Sequence, residues 1–417
     1  MMKKLLALTI AVLMLVACFG CTAAPATTAT SVAKTEEVKK EAAPKAEAKE
    51  EPADTTPYKF AIVAPMTGNN AQFGQAYKYA CQMLIDDVNN NGGINGHPVE
   101  LEVFDDKNDP KESVNVANMI ISDPAFLGVI GSQTSSCSMA IAPIFEDEGI
   151  TMISPSASHP DLVGIGDYIF RITLTQDLET KEYANFVINK LGKKSFAIIY
   201  SNDDWGVALN TIFTERANEL GAEVKVAETF VVNQTKDFSS LISKCKESGA
   251  ECLFLAAGYA ETAQILQQCK NLEYQPSLIY GNAMWFDQQL LDIVGDNAEG
   301  LVFCANFDSR SSDPYFVAFN ERLQKEHNMS INQYIAQSHD AMKLFLNAVE
   351  KVGADRAKIR DEIAATKDFS GLMGTFSFDP ETREPKQNNQ TTTSNFPCNF
   401  NFAVSNMNRF NQGIYHG

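Results

Sequence analysis

From residue 60 onward, short apolar runs alternate with amphipathic helical patterns, and this alternation restricts the fold more than any other feature. Residues 60–63 form a short apolar run that ends in Pro65 and Gly68, which is typical of a buried strand. From Gln75 the apolar residues recur every three or four positions and predict a helix. Alternation over this length predicts parallel sheets with helices on both faces.

The same patterns predict elements along the whole folded part, which at about 360 residues is long enough for two domains. The predicted strands cover residues 60–63, 99–103, 127–130, 151–153, 196–200, 223–227, 253–256, 278–280 and 301–303. One helix is predicted to begin at residue 75 and another to follow the loop at 131–138. Further predicted helices cover residues 113–121, 209–220, 238–247, 262–271, 315–327 and 334–352.

Three loops of small, mostly polar residues follow predicted strands, at residues 66–74, 131–138 and 154–160. Carboxyl ends of parallel strands share one edge of a sheet, so we expect these loops to meet there. Hydroxyls and free N–H groups at a helix start bind anions such as a carboxylate. One serine at a helix start is usually only an N-cap, but three such loops favour a binding site.

The N-terminal residues have the layout of a secretion signal. Lysines precede an apolar stretch over residues 5–16, which is too short to span a membrane comfortably. Leu15, three positions before Cys18, resembles the bacterial lipoprotein box, in which the cysteine is lipidated. We therefore predict a signal peptide over residues 1–17 and an extracytoplasmic lipoprotein anchored to a membrane through Cys18. Cys21 fits the pattern less well.

The segment after the leader and the overall charge limit the partners. Residues 18–57 contain almost no large apolar residue and are predicted to form a disordered, solvated tether. The chain has a formal net charge of −18 at pH 7. This charge argues against nucleic acid as a partner, because phosphate binding needs a basic surface.

The cysteines and histidines predict neither a metal site nor a cofactor. Beyond the leader the number of cysteines is odd, and no C-x-x-C pair follows the tether. Cys245 and Cys252 are close enough in sequence to pair, while buried free thiols fit equally well. The five histidines show no zinc-ligand spacing with the cysteines. The absence of G-x-S-x-G and H-E-x-x-H motifs argues against an enzyme.

Six motifs occur in a fixed order between about Tyr58 and Pro385. They are APMTG at 64–68, NGGING at 91–96, DDKNDP at 105–110, SPSAS at 154–158, KDFS at 236–239 and GTFSFD at 374–379. Together they resemble the type 1 periplasmic binding proteins, in the leucine/isoleucine/valine-binding subfamily of ABC transporter lipoproteins. The resemblance implies an α/β fold with two Rossmann-like lobes, each a parallel sheet flanked by helices, joined by a three-segment hinge.

The resemblance also implies where the lobes begin and end. Lobe one would contain residues 58–174 and 308–374, and lobe two would contain residues 175–307 and 375–417. The chain would cross between them near residues 171–175, 304–308 and 374–379. The tail from Lys386 is rich in Asn, Gln and Thr and departs from the family, so we expect an altered or disordered terminus.

In lobe one, the resemblance implies a ligand site on the polar loops. By position, Ser135 matches a family residue that holds the ligand carboxylate. Ser156 and Ser158 match the pair that holds both the carboxylate and the ammonium group. Phe73 matches a residue that contacts the ligand side chain.

In lobe two, Trp205 and Tyr259 match aromatic residues that close over the ligand. Trp205 could instead be a packing residue near the hinge. The family has an acid after the strand at 278–280 that pairs with the ammonium group, but Asn282 or Ala283 occupies that place here. An uncompensated ammonium would be costly in a closed cleft.

Two alternatives therefore stay open: Asp203 or Asp204 substitutes for the missing acid, or the ligand is neutral at that end. The resemblance implies a receptor that captures a small amino acid, branched-chain or related, and delivers it to an ABC-type membrane permease. The alternatives are a receptor for an amide or an aromatic acid, and a ligand sensor without transport.

Overall fold

The computed structural model describes residues 55–285, 290, 293–298, 300–305, 311–387, 401–404 and 414–415. The predicted signal peptide, the lipidation site at Cys18, most of the tether and Cys398 lie outside these residues. Within the described ranges, no helix combines the length and the apolar content that crossing a membrane would need.

The first sheet has five parallel strands that are covered by helices. The strands are β1 (Tyr58–Ala64), β2 (Val99–Asp105), β3 (Phe126–Gly131), β4 (Thr151–Ser154) and β5 (Ile169–Arg171). Their order in the sheet is β2-β1-β3-β4-β5. In register, Ile62 of β1 lies between Val103 of β2 and Ile130 of β3. All residues of β3 and β4 are buried, whereas the edge strand β2 is half-buried.

Six helices accompany this sheet, and with it they form lobe one. They are α1 (Ala71–Asn90), α2 (Pro110–Ile121), α3 (Ser135–Asp147), α8 (Pro314–His327), α9 (Gln333–Val352) and α10 (Arg356–Ala364). The helix α9 returns from the later part of the chain and packs on α1 and β3. A side chain at Gly128 of β3 would place its Cβ 2.3 Å from the Phe345 ring of α9, so glycine permits this close packing.

The second sheet has seven strands and forms lobe two. Its parallel strands are β6 (Ser195–Ser201), β7 (Glu223–Phe230), β8 (Cys252–Ala256), β9 (Leu278–Gly281) and β10 (Leu301–Ala305). The strands β14 (Asn401–Val404) and β15 (Ile414–Tyr415) extend it on the β10 side by antiparallel pairing. Its helices are α4 (Gln176–Asn185), which continues into a π-helical segment at Phe186–Lys190, α5 (Asp204–Glu219), α6 (Ser239–Glu247) and α7 (Tyr259–Asn271).

A small antiparallel sheet corrects the expected third crossing. It consists of β11 (Phe369–Gly371), β12 (Gly374–Phe378) and β13 (Pro385–Gln387). The expectation placed residues 374–379 in a crossing and residues 375–417 in lobe two. Instead, Phe378 packs against Phe170 of β5 with 5.4 Å between ring centroids, so β12 and β13 lie against lobe one. Residues 388–400, between β13 and β14, lie outside the described residues. The other lobe bounds stay predictions.

The predicted strands and helices are all present, with ends that differ by a few residues. The strand β5, the helices α4 and α10 and the small sheet were not predicted. The tail contributes β14 and β15 to the second sheet rather than being entirely irregular. Of the two alternatives left open for Cys245 and Cys252, the structure shows buried free thiols. Burial raises the pKa of Cys245 to about 12 and that of Cys252 to about 11.

Arg171, the last residue of β5, is fully buried at the point where the chain leaves lobe one. Its Nε donates to Glu384 Oε2 at 2.8 Å, and a second nitrogen pairs with Glu384 Oε1. The guanidinium also donates to the carbonyl oxygens of His159 at 2.7 Å and Pro160 at 3.1 Å. One buried cation thus fastens the loop after β4 to the turn before β13.

Replacing Glu384 by Ala should lower the free energy of unfolding by about 3 kcal/mol, because it leaves the Arg171 charge buried without its partner. Urea denaturation measures the change. The control is Glu326→Ala, which breaks the Arg322–Glu326 pair at 2.9 Å on the surface and should cost under about 1 kcal/mol. Equal losses of stability in the two variants would show that the Arg171–Glu384 pair is no more important than a surface ion pair.

Candidate functional site

A cavity lies at the carboxyl ends of strands from both sheets. Its lining residues come from the segments that follow all five strands of lobe one and the strands β6, β7, β8 and β9 of lobe two, together with residues of α4 and α9. They include Asn70, Phe73, Asn108, Gln133, Thr134, Ser135, Ser156, Ser158, Glu179, Ser201, Asp203, Trp205, Gly258, Glu261, Asn282, Met284, Gln333, Tyr334 and Gln337. Parallel-sheet folds bind ligands at such edges.

Two adjacent aspartates hold the lobe-one loops in place. The Asp105 carboxylate accepts from the Met66 N–H at 2.8 Å and from the Thr67 hydroxyl at 2.6 Å, which ties the loop after β1 to the end of β2. Burial acts to raise its pKa, but hydrogen bonds led by that from Thr67 bring the pKa below its usual range. Asp106 is fully buried and accepts from the hydroxyls of Ser132 and Ser113. These carboxylates therefore have a structural role.

The start of α3 presents unused hydrogen-bonding groups to the cavity. Thr134 is the N-cap residue, but its buried hydroxyl makes no capping bond and has no hydrogen-bond partner among the described residues. Ser135, the first helical residue, is buried and its hydroxyl accepts from the His159 N–H at 3.3 Å. The N–H groups of a helix's first turn lack intrahelical partners and carry partial positive charge. This helix start can therefore bind an anion.

The two serines after β4 have different surroundings. The Ser156 hydroxyl donates to the Gln133 carbonyl at 2.7 Å and shares a hydrogen bond with the Tyr77 hydroxyl at 2.6 Å. It is therefore already committed to protein partners, although it lines the cavity. Ser158 is buried and also lines the cavity. The ligand-binding roles of both stay predictions.

Of the three predicted aromatic residues, Phe73 and Trp205 line the cavity, whereas Tyr259 lies beside it and is not part of the lining. Phe73 lies 4.3 Å from Tyr334 and 5.9 Å from Tyr259 between ring centroids, and both neighbours are buried. Tyr259 is next to the lining residue Gly258 and donates its hydroxyl to the Asn69 carbonyl at 3.3 Å. Trp205 lines the cavity and packs against the core of lobe two, so its predicted roles in ligand contact and in packing are compatible.

The amide of Asn282 is used inside the protein. Its nitrogen donates to the carbonyls of Ala257 at 3.1 Å and Leu255 at 3.4 Å, and its oxygen accepts from the Met284 N–H at 2.9 Å. Only 2% of the residue is exposed. Asn282 therefore lines the cavity while its polar atoms brace the loops after β8 and β9.

Neither aspartate beside Trp205 is well placed to replace the missing acid. Asp203 lines the cavity, but it is the N-cap of α5 and accepts from the Gly206 N–H at 2.8 Å and the Ser201 hydroxyl at 2.7 Å. Burial raises its pKa. Asp204 is exposed and does not belong to the lining.

Two glutamates that the sequence analysis missed do line the cavity. Glu261 lies in the first turn of α7, three residues after Gly258, and Glu179 lies on α4. Both are 8% exposed. Glu261 follows β8, so the rule that strand carboxyl ends carry sites could have found it. Glu179 gives no such signal, since it lies within a helix.

Hydrogen bonds join the two lobes across the cavity. The Asn69 amide donates to Asn233 Oδ1 at 2.8 Å, and the Asp204 N–H donates to the Ser136 hydroxyl at 3.3 Å. The bond from Tyr259 to Asn69 also crosses. The structure therefore has the lobes in contact around the cavity, as in a closed form.

The chain matches the family described as Periplasmic binding protein over residues 57–395. This chain belongs to the periplasmic binding protein family. It is 27% identical over 323 residues to the leucine-, isoleucine-, valine-, threonine- and alanine-binding protein of Pseudomonas aeruginosa, which covers 77% of this chain and 85% of that protein. Members of the family are binding proteins, and the two-lobed fold agrees with this.

Solved structures of periplasmic binding proteins share this architecture. A leucine-binding protein from Thermotoga maritima superposes with a TM-score of 0.73 and 27% identity, covering 79% of this chain and 93% of that chain. A branched-chain amino acid transporter substrate-binding protein from Streptococcus pneumoniae, solved with isoleucine, gives a TM-score of 0.75 at 23% identity, over 87% and 98% of the two chains. At 23% identity, the similarity to the Streptococcus pneumoniae protein shows a shared fold and nothing more.

Changing Asn282 to Asp should destabilise the protein rather than improve a binding site. A carboxylate cannot donate to the two carbonyls that the amide serves, and its charge would be buried. Burial would raise the folded-state pKa above the unfolded value of about 4, so the variant should lose stability as pH rises above that value.

Thermal unfolding at pH 5 and pH 8 tests this expectation. The control is Asn218→Asp, an exposed position on α5. A loss of stability that is larger at pH 8 is expected for Asn282→Asp only. A variant as stable as the wild type at pH 8 would show that the amide contacts are unimportant.

Proposed function

We propose that this protein is the receptor of an ABC-type uptake system and binds a small free amino acid between its lobes. The observation that carries the proposal is the pairing, around one cavity, of an anion-binding helix start in lobe one with the Glu261 carboxylate in lobe two. An amino acid carries one negative and one positive group and matches both. The Pseudomonas aeruginosa relative, which binds branched-chain amino acids, threonine and alanine by its name, supports this ligand class.

The α-carboxylate would bind at the start of α3. The Thr134 and Ser135 hydroxyls and the N–H groups of the first turn are neutral donors, and Ser158 adds a buried hydroxyl beside them. None of the lining residues that the structure describes is Lys, Arg or His. The carboxylate would therefore be held by hydrogen bonds and the helix dipole rather than by an ion pair.

The ammonium group would bind the buried Glu261 carboxylate in the first turn of α7. This arrangement supplies the negative charge that the loop after β9 lacks. It also disfavours aromatic acids, which have no ammonium group and would leave the Glu261 carboxylate buried and unpaired. Among the alternatives, an amino acid thus fits the cavity best.

Delivery to a permease follows from the family. A ligand bound by groups of both lobes stabilises the closed form, and a membrane partner can recognise that form. A sensor without transport would use the same closure. Genes for a permease and an ATPase beside this one would favour transport.

Replacing Glu261 by Gln should weaken amino-acid binding by about 1.5–3 kcal/mol, because a charged hydrogen bond to the ammonium group is lost. Calorimetry with leucine, valine, threonine and glutamine, and with their des-amino analogues, measures this. Binding of the des-amino analogues should not fall, since they have no ammonium group.

The matched control is Glu247→Gln at the exposed end of α6, which should bind like the wild type. If no free amino acid binds the wild type, the proposed ligand class is wrong. If Glu261→Gln leaves the affinity of the best-bound amino acid unchanged, the ammonium group binds elsewhere.

We also propose that the receptor is anchored outside the cytoplasm by a lipid on Cys18, with residues 18–57 as the tether. The leader pattern and the extracytoplasmic family support this. Mass spectrometry of the mature protein should find an acylated N-terminal Cys18, and Cys18→Ala should release the protein from membranes. An unmodified mature N-terminus at another residue would rule out this anchor.

A further inference from the structure

Three buried glutamines line the cavity with unused hydrogen-bonding capacity. Gln133 is 6% exposed, Gln333 is 5% exposed and Gln337 is 1% exposed. The side-chain oxygen of each is buried and has no hydrogen-bond partner among the described residues. Gln333 and Gln337 lie four residues apart on α9 and so share one helix face, while Gln133 precedes α3.

These glutamines belong to the lobe-one side of the cavity, near Phe73. Tyr334 lies next to Gln333 on α9 and contacts Phe73 at 4.3 Å between ring centroids. Phe73 is the residue that family position assigns to the ligand side chain. The charged ends of the proposed ligand are accounted for by α3 and Glu261, so the three glutamines are left to meet its side chain.

The chemistry of a buried amide decides which side chains fit. An unpaired buried amide costs about 1–3 kcal/mol, and an aliphatic ligand side chain would leave these amides unpaired. An amide or hydroxyl on the ligand could bond to them, because a glutamine can present either its oxygen or its nitrogen. A carboxylate side chain would meet Glu179, Asp203 and Glu261 in the same acidic cavity and be repelled.

We infer that the ligand is an amino acid with a neutral hydrogen-bonding side chain, an amide or a hydroxyl, and that Gln133, Gln333 and Gln337 select it over aliphatic ones. The inference rests on the proposed amino-acid function and narrows it. A site built to hydrogen-bond a ligand group rejects an analogue that lacks the group far more strongly than an apolar pocket rejects a change in size.

Calorimetry on the wild-type protein with glutamine, asparagine, threonine, leucine, valine and glutamate tests the inference without any variant. The best of the three neutral polar amino acids should bind at least about 10-fold tighter than leucine and valine, and glutamate should bind more weakly than glutamine. Leucine or valine binding as tightly as the best polar amino acid would overturn the inference and leave the amino-acid function standing. Failure of every free amino acid to bind would overturn both.

The variant Gln333→Leu with Gln337→Leu provides the second arm. It should bind the preferred polar amino acid at least about 10-fold more weakly and leucine more tightly than the wild type does. Gln324→Leu, an exposed glutamine on α8, is the matched control and should leave the preference unchanged. Circular dichroism confirms folding, and if the double variant does not fold, the ranking of the wild type decides. An unchanged preference in the folded double variant would overturn the inference.

Discussion

The buried guanidinium of Arg171 holds together the parts of the molecule on which binding depends. It lies where the chain leaves lobe one, and its hydrogen bonds reach the loop after β4 and the turn before β13. The loop carries Ser156 and Ser158, and the turn belongs to the last described segment of lobe one. A buried cation is tolerated only when its donors are satisfied, so these parts keep a fixed arrangement. The loop that carries these serines is thereby held in place by contacts within the protein.

The contacts that close the cavity are uncharged, unlike the ion pair of Arg171. The lobes are joined there by hydrogen bonds between neutral groups, such as those of Asn69 with Asn233 and with Tyr259. Each such bond contributes only about 1 kcal/mol after exchange with water. The proposed ligand, with charged groups facing both lobes, would contribute more than these contacts do. A rigid binding surface on each lobe and weak direct contacts between lobes make closure depend on the ligand.

Most of the fold could be predicted from the sequence, because buried parallel strands are continuous apolar runs that periodicity detects. The strand β5 escaped because it has three residues and ends in buried Arg171. The helix α4 escaped because its inner face includes Gln176, Glu179 and Thr180, so it lacks an apolar period. At the site, the family resemblance pointed to the serines of lobe one, which line the cavity. For the acid that pairs with the ligand ammonium group, however, the resemblance pointed to the loop after β9, where Asn282 or Ala283 occupies the place of the acid. Glu261 reaches the same cavity from the first turn of α7, after β8, where the rule on strand carboxyl ends could have found it.

The three glutamines show which part of a binding site is hard to predict from sequence. Strand-end loops and helix starts are local features, so the groups that would bind the amino acid's charged ends can be located along the chain. The side-chain pocket instead depends on α9, some 200 residues after Gln133, which packs across α1 and β3 and brings Gln333 and Gln337 to the same cavity. Specificity can therefore change by substitution on α9 without disturbing the loops that hold the common part of every amino acid. Under the inferred preference for a polar side chain, the receptor would keep the fold of its relatives while α9 sets the polarity of the ligand.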